Sequence, residues 1–356
     1  MIRLAMIGIP GEYGKCLISS LKSKGVKILK IQARKNKNFS RKVIMLLRSW
    51  KPDIVHIQFF EGSYRNIGPV IGVGILPVYK YCKIRKIPVV TTFHEVPHPA
   101  RLELFFKRSP FFLNRIGIYR KFKICIRKLI YEWIIKNSSA VIVHTREHET
   151  LLKSWGYTNI HWIPHGTEIV NLRGKRSTDR FTLVSFGAFR TDKRYDIVFE
   201  ALKALKCRPI TYIIHTSPPE DEISRKWLKY IESIKPEDVV IIKGFLPKRR
   251  LLELITCADA VLFPYDKVGM GASSGFHHAI GLGKPVIAPN IGEFKDWGDY
   301  VLLYRCNDVE DLRRSIMKMM DEQIREHYAA LSRELAELTC WDRVAEKHIS
   351  LYLSFI

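Results

Sequence analysis

At 356 residues, 47% hydrophobic and 26% charged, the chain has the balance of a soluble globular protein with room for two ordinary domains, which excludes disordered and fibrous classes. Its 59 Lys and Arg face 35 Asp and Glu, and the formal charge of +24 predicts anionic partners: nucleic acid, acidic lipid head groups or phosphorylated small molecules. Seven scattered cysteines with no C-x-x-C pair suggest neither a disulfide framework nor a zinc site and read as small core hydrophobes in a reducing, cytoplasmic compartment.

The apolar opening, Met1 to Pro10, lacks a small-residue cleavage site, so it reads as a first strand rather than a signal peptide. Brief apolar runs edged by turn or charged residues then predict buried strands at Arg3–Gly8, Val26–Ile31, Asp53–Gln58, Pro88–Phe93, Ala140–His144 and Ile160–Ile163. Helical patterns lie between them, at Tyr13–Lys24, Ser40–Trp50 and Ile116–Lys136. The longest uncharged stretch, Ile67 to Tyr79, is interrupted by Pro69 and Pro77 and is shorter than the ~18 to 20 apolar residues that span a bilayer, so no transmembrane segment is expected.

Periodicity vanishes over the charge-dense NLRGKRSTDR stretch and restarts with strands at Thr182–Phe186, Thr211–His215, Val239–Ile242, Ala260–Phe263, Pro285–Ala288 and Tyr300–Leu303. Helices are expected at Tyr195–Lys206, Lys248–Thr256, Gly275–Gly283, Val309–Asp321, Gln323–Leu338 and Trp341–Leu353. The alternation predicts an α/β chain of two Rossmann-like domains facing across a cleft: residues 1–170, a linker at 171–180, a second domain at 181–338, and a C-terminal helix at 339–356 with the option of crossing back to the first domain.

Several stretches carry chemistry. The first strand runs into Gly8-Ile9-Pro10-Gly11-Glu12-Tyr13-Gly14, a glycine turn opening a helix, where backbone N–H groups face an anion or a close ligand. It is no Walker A loop, since Ile9 and Cys16 stand where Gly and Ser or Thr are needed; a bare strand-to-helix connection is the alternative. His94 and Glu95 end a strand, in position to meet a sugar hydroxyl or handle a proton, or else to serve as structural hydrogen bonders. Arg190 and Lys193 follow the first strand of the second half, where a forked guanidinium and an ammonium suit a diphosphate as well as they suit a solvated basic loop. Ser273 or Ser274 caps the helix that Gly275 opens, and small residues there leave the first-turn N–H groups open to a phosphate.

The ordered set PDIVHIQ, VVTTFHE, SSAVIVHT with IPHGTE, FGAFRTDKRYDIVFEAL, LLELITCADAVLFPY and GLGKPVIAPNIGEF resembles the retaining GT-B glycosyltransferases of glycosyltransferase family 4, over nearly the whole chain. The resemblance implies transfer of a sugar from a nucleotide-sugar donor, a UDP- or GDP-sugar, to a sugar, glycan or lipid-linked acceptor through an oxocarbenium-like state with retained configuration. It implies no cofactor and no metal, and the lack of any D-x-D sequence agrees. By the same resemblance His94, Arg190 and Lys193 are catalytic. Gly11, Arg190, Lys193, Ser273, Ser274, Gly275 and His278 bind the donor, and Glu12, Tyr13, His94 and Glu95 lie on the acceptor side. Two departures stand out: Arg194 replaces a usual Gly, and Met270 and His278 occupy the places of the E-x7-E glutamates.

Rival readings follow from that loss and from the charge. A GT-B-like subunit without catalysis, or a nucleotide-sugar epimerase, would keep the fold. A basic nucleic-acid-binding protein would keep the charge, but no DNA or RNA module is recognisable, so no nucleic acid is expected. Arg101–Lys136 holds ten basic residues against Glu103 and Glu132; with Ile118, Phe122, Cys125, Ile126, Leu129 and Trp133 expected to pack on the sheet, the opposite face with Arg120, Lys121, Lys123, Arg127 and Lys128 would attract an anionic membrane. Leu102 to Phe106 and Phe111 to Leu113 would dip into the interface, placing the protein peripherally on the inner face of a membrane.

Overall fold

A computed structural model describes the chain apart from residues 10, 61–62, 65–71, 98–112, 173, 175–178, 206–207, 220 and 267–270, with backbone alone over 113–124. It divides into two compact units, the first formed by Met1–Gly166, Val268–Ala272 and Trp341–Ile356, the second by Thr167–Lys267 and Ser273–Cys340.

Unit 1 alternates β1 (Arg3–Ile7), α1 (Gly11–Ser23), β2 (Lys27–Ile31), α2 (Phe39–Trp50), β3 (Ile54–Phe59), α3 (Leu76–Ile84), β4 (Val89–Phe93), α4 (Leu113–Lys136), β5 (Ala140–Val143), α5 (Arg146–Ser154) and β6 (Ile160–Trp162). The six strands form a parallel sheet in the order β2-β1-β3-β4-β5-β6. Both faces are covered, and every residue of β3 and β4 is buried. One face is sealed by α2, α3 and α4 through Phe39, Val43, Leu47, Val78, Tyr79, Ile130 and Ile134. The other is sealed by α1 and by the last helix of the chain through Leu17, Leu21, Val344, Ala345 and Tyr352.

Unit 2 holds β7 (Phe181–Ala188), α6 (Tyr195–Lys203), β8 (Ile210–Ser217), α7 (Glu222–Ser233), β9 (Val239–Lys243), α8 (Lys248–Cys257), β10 (Ala260–Leu262), α9 (Ser274–Gly281), β11 (Val286–Pro289), α10 (Gly292–Asp296), β12 (Leu302–Tyr304), α11 (Val309–Met320) and α12 (Glu322–Leu338). The final helix, α13 (Trp341–Leu353), returns to unit 1. The second sheet is also parallel, in the order β12-β11-β10-β7-β8-β9. Its strand order reverses between β7 and β10, so the loops leaving those two strands diverge and leave a crevice at their C-terminal ends. The corresponding reversal in unit 1 lies between β1 and β3.

The two predicted α/β domains are therefore present as two doubly wound sheets, and each of the twelve strand segments read from the sequence is a strand. One helix face needs correction. On α4 the buried residues are Ile130, Tyr131, Ile134 and Ile135, while Ile126 and Trp133 are partly buried and Cys125 and Leu129 are exposed, Leu129 by 63%. Apolar residues occupy more than one stripe of this helix, so a helical wheel does not decide the phase. Packing does: Tyr131 lies against Phe59 and Phe93 and donates its hydroxyl to the Glu95 carbonyl at 2.9 Å. Leu102 to Phe112 and the side chains of Ile118, Arg120, Lys121, Phe122 and Lys123 lie outside the described residues, as does Met270.

The division also partitions the charge. Residues 1–166 hold 30 Lys and Arg against eight Asp and Glu, whereas residues 167–356 hold 29 against 27. Neither α2 nor α3 contains a carboxylate, and each exposes apolar side chains among its cations: Met45 and Leu46 beside Arg41, Lys42 and Arg48, and Ile84 beside Lys80 and Lys83.

Candidate functional site

In unit 1 the chain leaves β1 through Gly8, whose φ of +77° and position against Tyr64 and the Gln58 carbonyl leave no room for a side chain. Gly11 opens α1 in open space and Glu12 is exposed beside it. Tyr13 turns inward instead. Its ring lies 4.9 to 5.2 Å from those of His94, His165, Trp341 and His144, and its buried hydroxyl has no hydrogen-bond partner among the described residues.

His94 follows β4 and stacks on Phe60 with ring centroids 4.4 Å apart. Its Nε2 meets Gln58 Oε1 at 2.7 Å, and since that oxygen only accepts, Nε2 carries the proton. The Gln58 amide in turn donates to His56 Nε2 at 3.2 Å, and His56 Nδ1 meets the Tyr352 hydroxyl of α13 at 2.6 Å. Burial, reinforced by His144, His165 and His56, holds His94 well below the ordinary histidine range, so at neutral pH it is an uncharged ring with Nδ1 as its accepting nitrogen. Glu95 is partly buried next to it, its backbone carbonyl taken by Tyr131.

The second constellation fills the crevice of unit 2. Arg190 is exposed on the loop after β7 and forks onto Asp192 with contacts of 3.0 and 2.6 Å. Lys193 is buried; its Nζ donates to the Phe186 carbonyl at 2.9 Å and lies 5.4 Å from the centre of the Tyr265 ring. Burial, with help from the Arg190 charge, pulls this ammonium down to about 7. Gly187, at φ +109°, is what allows Nζ so close to the strand end, since a Cβ there would stand 3.0 Å from it. Arg194, the departure noted above, is tied to Asp196 and Asp266 and to Asn307, so it braces the loop.

A β-bridge joins Lys193 to Tyr265, and the Tyr265 hydroxyl reaches the side chain of Ser273. The loop after β7 is thereby tied to the start of α9. Ser273 is the N-cap, accepting from the Phe276 N–H at 3.4 Å, and Ser274 is exposed at the first helical position. Gly275 packs 3.3 Å from Phe186 by the Cβ it lacks, and His278 is partly buried one turn on. The structure thus brings Arg190, Lys193, Ser273, Ser274 and Gly275 to one crevice. Two basic side chains and a helix start lined by small residues lie together there.

Sequence reasoning missed three contributors: Tyr265, which links the two loops, and His277 and Glu293, a buried pair behind the helix start. No spacing rule joins residues 16 positions apart on two different elements. The only sequence signal that touched Glu293 was its place in the GLGKPVIAPNIGEF stretch.

Two doubly wound parallel sheets in one chain are the architecture of the GT-B class. Residues 26–170 match the Glycosyltransferase Family 4 model and residues 180–322 match Glycosyl transferases group 1, and the chain belongs to this glycosyltransferase family. Among solved structures it is similar to a sucrose-phosphate synthase from Thermosynechococcus elongatus (TM-score 0.74, 14% identity, 99% of each chain covered). It is likewise similar to a glycosyltransferase from Rickettsia africae (0.73, 14%, covering 99% of this chain and 98% of that one). Anabaena HepE, solved in complex with UDP and glucose, matches at 0.69 and 15% identity over all of both chains. No curated protein sequence matches the chain.

Proposed function

We propose that the protein is a hexosyltransferase that takes its sugar from a nucleotide-sugar donor held in unit 2 and passes it to an acceptor hydroxyl bound in unit 1, with retained anomeric configuration. The observation that carries this reading is the union of Lys193 and the α9 start through Tyr265 at the switch point of the second sheet. As the anomeric C–O bond opens, negative charge grows on the leaving diphosphate, and Lys193, Arg190 and the first-turn N–H groups are aimed at it. Because these groups supply the positive charge, the transfer needs no divalent metal. Neutral His94, held by Gln58, offers a lone pair to an acceptor hydroxyl. Support for the donor comes from HepE, whose structures hold UDP and UDP-glucose.

A thermal-shift panel of UDP-, GDP- and ADP-sugars in the presence of chelator tests the reading. The true donor at ~100 times its dissociation constant should add ~2.7 kcal/mol of stability. The absence of a shift with any of them would refute the donor, and turnover lost to chelator but restored by manganese would refute the metal-free mechanism. Donor binding without turnover would instead mark an inactive subunit.

The charge partition favours a lipid-linked acceptor. Unit 1 carries nearly all the excess cations, and the carboxylate-free α2 and α3 mix them with Met45, Leu46 and Ile84, a pattern suited to an anionic lipid surface, where each Lys or Arg contributes ~1 kcal/mol. Arg127, Lys128 and Lys136 of α4 extend the basic set, and no helix among the described residues is long and apolar enough to cross a membrane. The protein should sediment with phosphatidylglycerol vesicles and not with phosphatidylcholine vesicles. Equal sedimentation with both, or preferential salt-sensitive binding to random oligonucleotides, would count against the lipid surface.

A further inference from the structure

Behind the α9 start runs a buried chain of polar groups, all within unit 2. The Ser273 N–H donates to Glu293 Oε2 at 2.6 Å, and Glu293 Oε1 lies 2.7 Å from His277 Nε2. His277 Nδ1 meets the Thr167 hydroxyl at 2.6 Å, Thr167 meets the Thr339 hydroxyl at 2.7 Å, and Thr339 donates to the Leu335 carbonyl at 2.7 Å. Glu293 is fully buried, and His277 and Thr167 nearly so.

The protons of this chain can be placed one by one. A carbonyl only accepts, so the Thr339 proton points at Leu335 and Thr339 must accept from Thr167. With its own proton so used, Thr167 accepts from His277, which fixes a proton on Nδ1. One proton is left for the 2.7 Å contact between His277 Nε2 and Glu293 Oε1. It resides either on the carboxyl, giving a neutral pair, or on the ring, giving an ion pair. Burial selects the first, pushing Glu293 up to about 8 and His277 down to about 3, the latter helped by His278.

We propose that Glu293 is a positioning residue for the donor: as a neutral acid sharing one proton with His277, it fixes Ser273 and the α9 start, and loss of that proton weakens donor binding. A neutral carboxyl holds the Ser273 N–H without setting a negative charge beside the helix end that receives the phosphate. An ionised one would hold the same N–H but oppose the diphosphate, and its Oε1 would face the bare lone pair of Nε2. The inference rests on the donor reading above.

The titratable groups beside the pair are His278 on α9 and Tyr265 after β10, and Tyr265 in turn lies near Arg190, Asp192 and Lys193 of the loop after β7. Tyr265 is pushed up to about 12 by burial and stays neutral through the range of interest. Lys193 does titrate there, so its contribution has to be separated. Above pH 7 the free enzyme has lost the Lys193 proton that a bound diphosphate restores, and one proton taken up per binding event weakens affinity about tenfold per pH unit. Above pH 8 Glu293 adds a second proton and a slope of about a hundredfold per unit.

The test measures UDP affinity from pH 7 to 9, with GDP and ADP used where UDP gives no signal. In Glu293→Gln the amide oxygen accepts from Ser273 and the NH2 donates to His277 Nε2, which copies the neutral acid. This variant should bind within about twofold of wild type at pH 7 and keep the tenfold slope throughout, whereas Glu293→Leu, which leaves the Ser273 N–H unmet, should bind about tenfold more weakly at pH 7. A Gln variant as weak as the Leu variant, or a wild-type slope above pH 8 equal to that of the Gln variant, overturns the proposal even if Glu293→Leu fails to fold. Wild-type protein that binds none of the three nucleotides overturns the donor reading itself, and the inference with it.

Discussion

Replacing Lys193 with Met should lower kcat/KM by about 100-fold or more, with no loss in melting temperature. Met fills a similar volume and removes only the charge. One group aimed at the growing charge of a leaving group typically contributes about 3 kcal/mol to the transition state. The expected gain in stability follows from the same burial. In the folded chain the ammonium titrates at about 7, far below its value of ~10.4 in an unfolded chain, so folding disfavours the charged form. This cost is present in full below pH 7 and fades as the pH rises toward ~10, because the unfolded state binds the extra proton throughout that window. The Met variant should therefore exceed wild type in melting temperature by most at low pH, and the two should converge at high pH. A rate near wild type would remove Lys193 from the donor site, and a melt lowered at pH 6 would show that the amine supports the fold through its bond to Phe186.

Ser274→Leu should abolish the nucleotide-induced thermal shift while the protein still melts cooperatively. Ser274 is exposed at the first turn of α9, and Ser273, not Ser274, supplies the cap. A leucine there meets no core atom but fills the approach to the first-turn N–H groups, which need small neighbours to accept a phosphate. Were the serines only part of a helix cap, the change would cost at most about 0.5 to 2 kcal/mol of stability and leave nucleotide affinity intact. A Leu variant that retains the full shift would place the phosphate elsewhere.

Much of this was legible in the sequence because parallel strands covered on both faces read as predominantly apolar runs. Runs such as Ile54-Val55-His56-Ile57 and Ala260-Val261-Leu262 therefore announce themselves, and the residues just after them, His94 and Arg190 among them, fall at strand ends as expected. The exposed members of the candidate site were legible as residues at strand and helix ends. Its buried parts were not, because burial is a property of packing between distant segments: Thr167 and His277 are 110 residues apart and Glu293 sits on a five-residue helix. Lys193 looked like half of a surface basic pair, and only the close approach to Phe186 and Tyr265 reveals it as an interior amine. The phase of α4 failed for a related reason, since a helix with apolar residues on several sides is oriented by its neighbours.

The return of α13 to unit 1 sets the order in which the protein can be built. Residues 341–356 leave the ribosome only after the whole of unit 2, so the first sheet emerges with α2, α3 and α4 available for one face but with its other face half bare. Leu4, Met6, Leu17 and Leu21 wait for Val344, Ala345 and Tyr352, and His56 waits for the Tyr352 hydroxyl. Unit 2, formed by Thr167–Lys267 and Ser273–Cys340, is synthesised in full before α13, so its chain is complete before that of unit 1, reversing the usual precedence of the amino-terminal domain during synthesis. Until α13 arrives, the nascent chain carries an apolar strip along β1 and α1, and the Gln58–His94 tether lacks the Tyr352 hydroxyl behind His56.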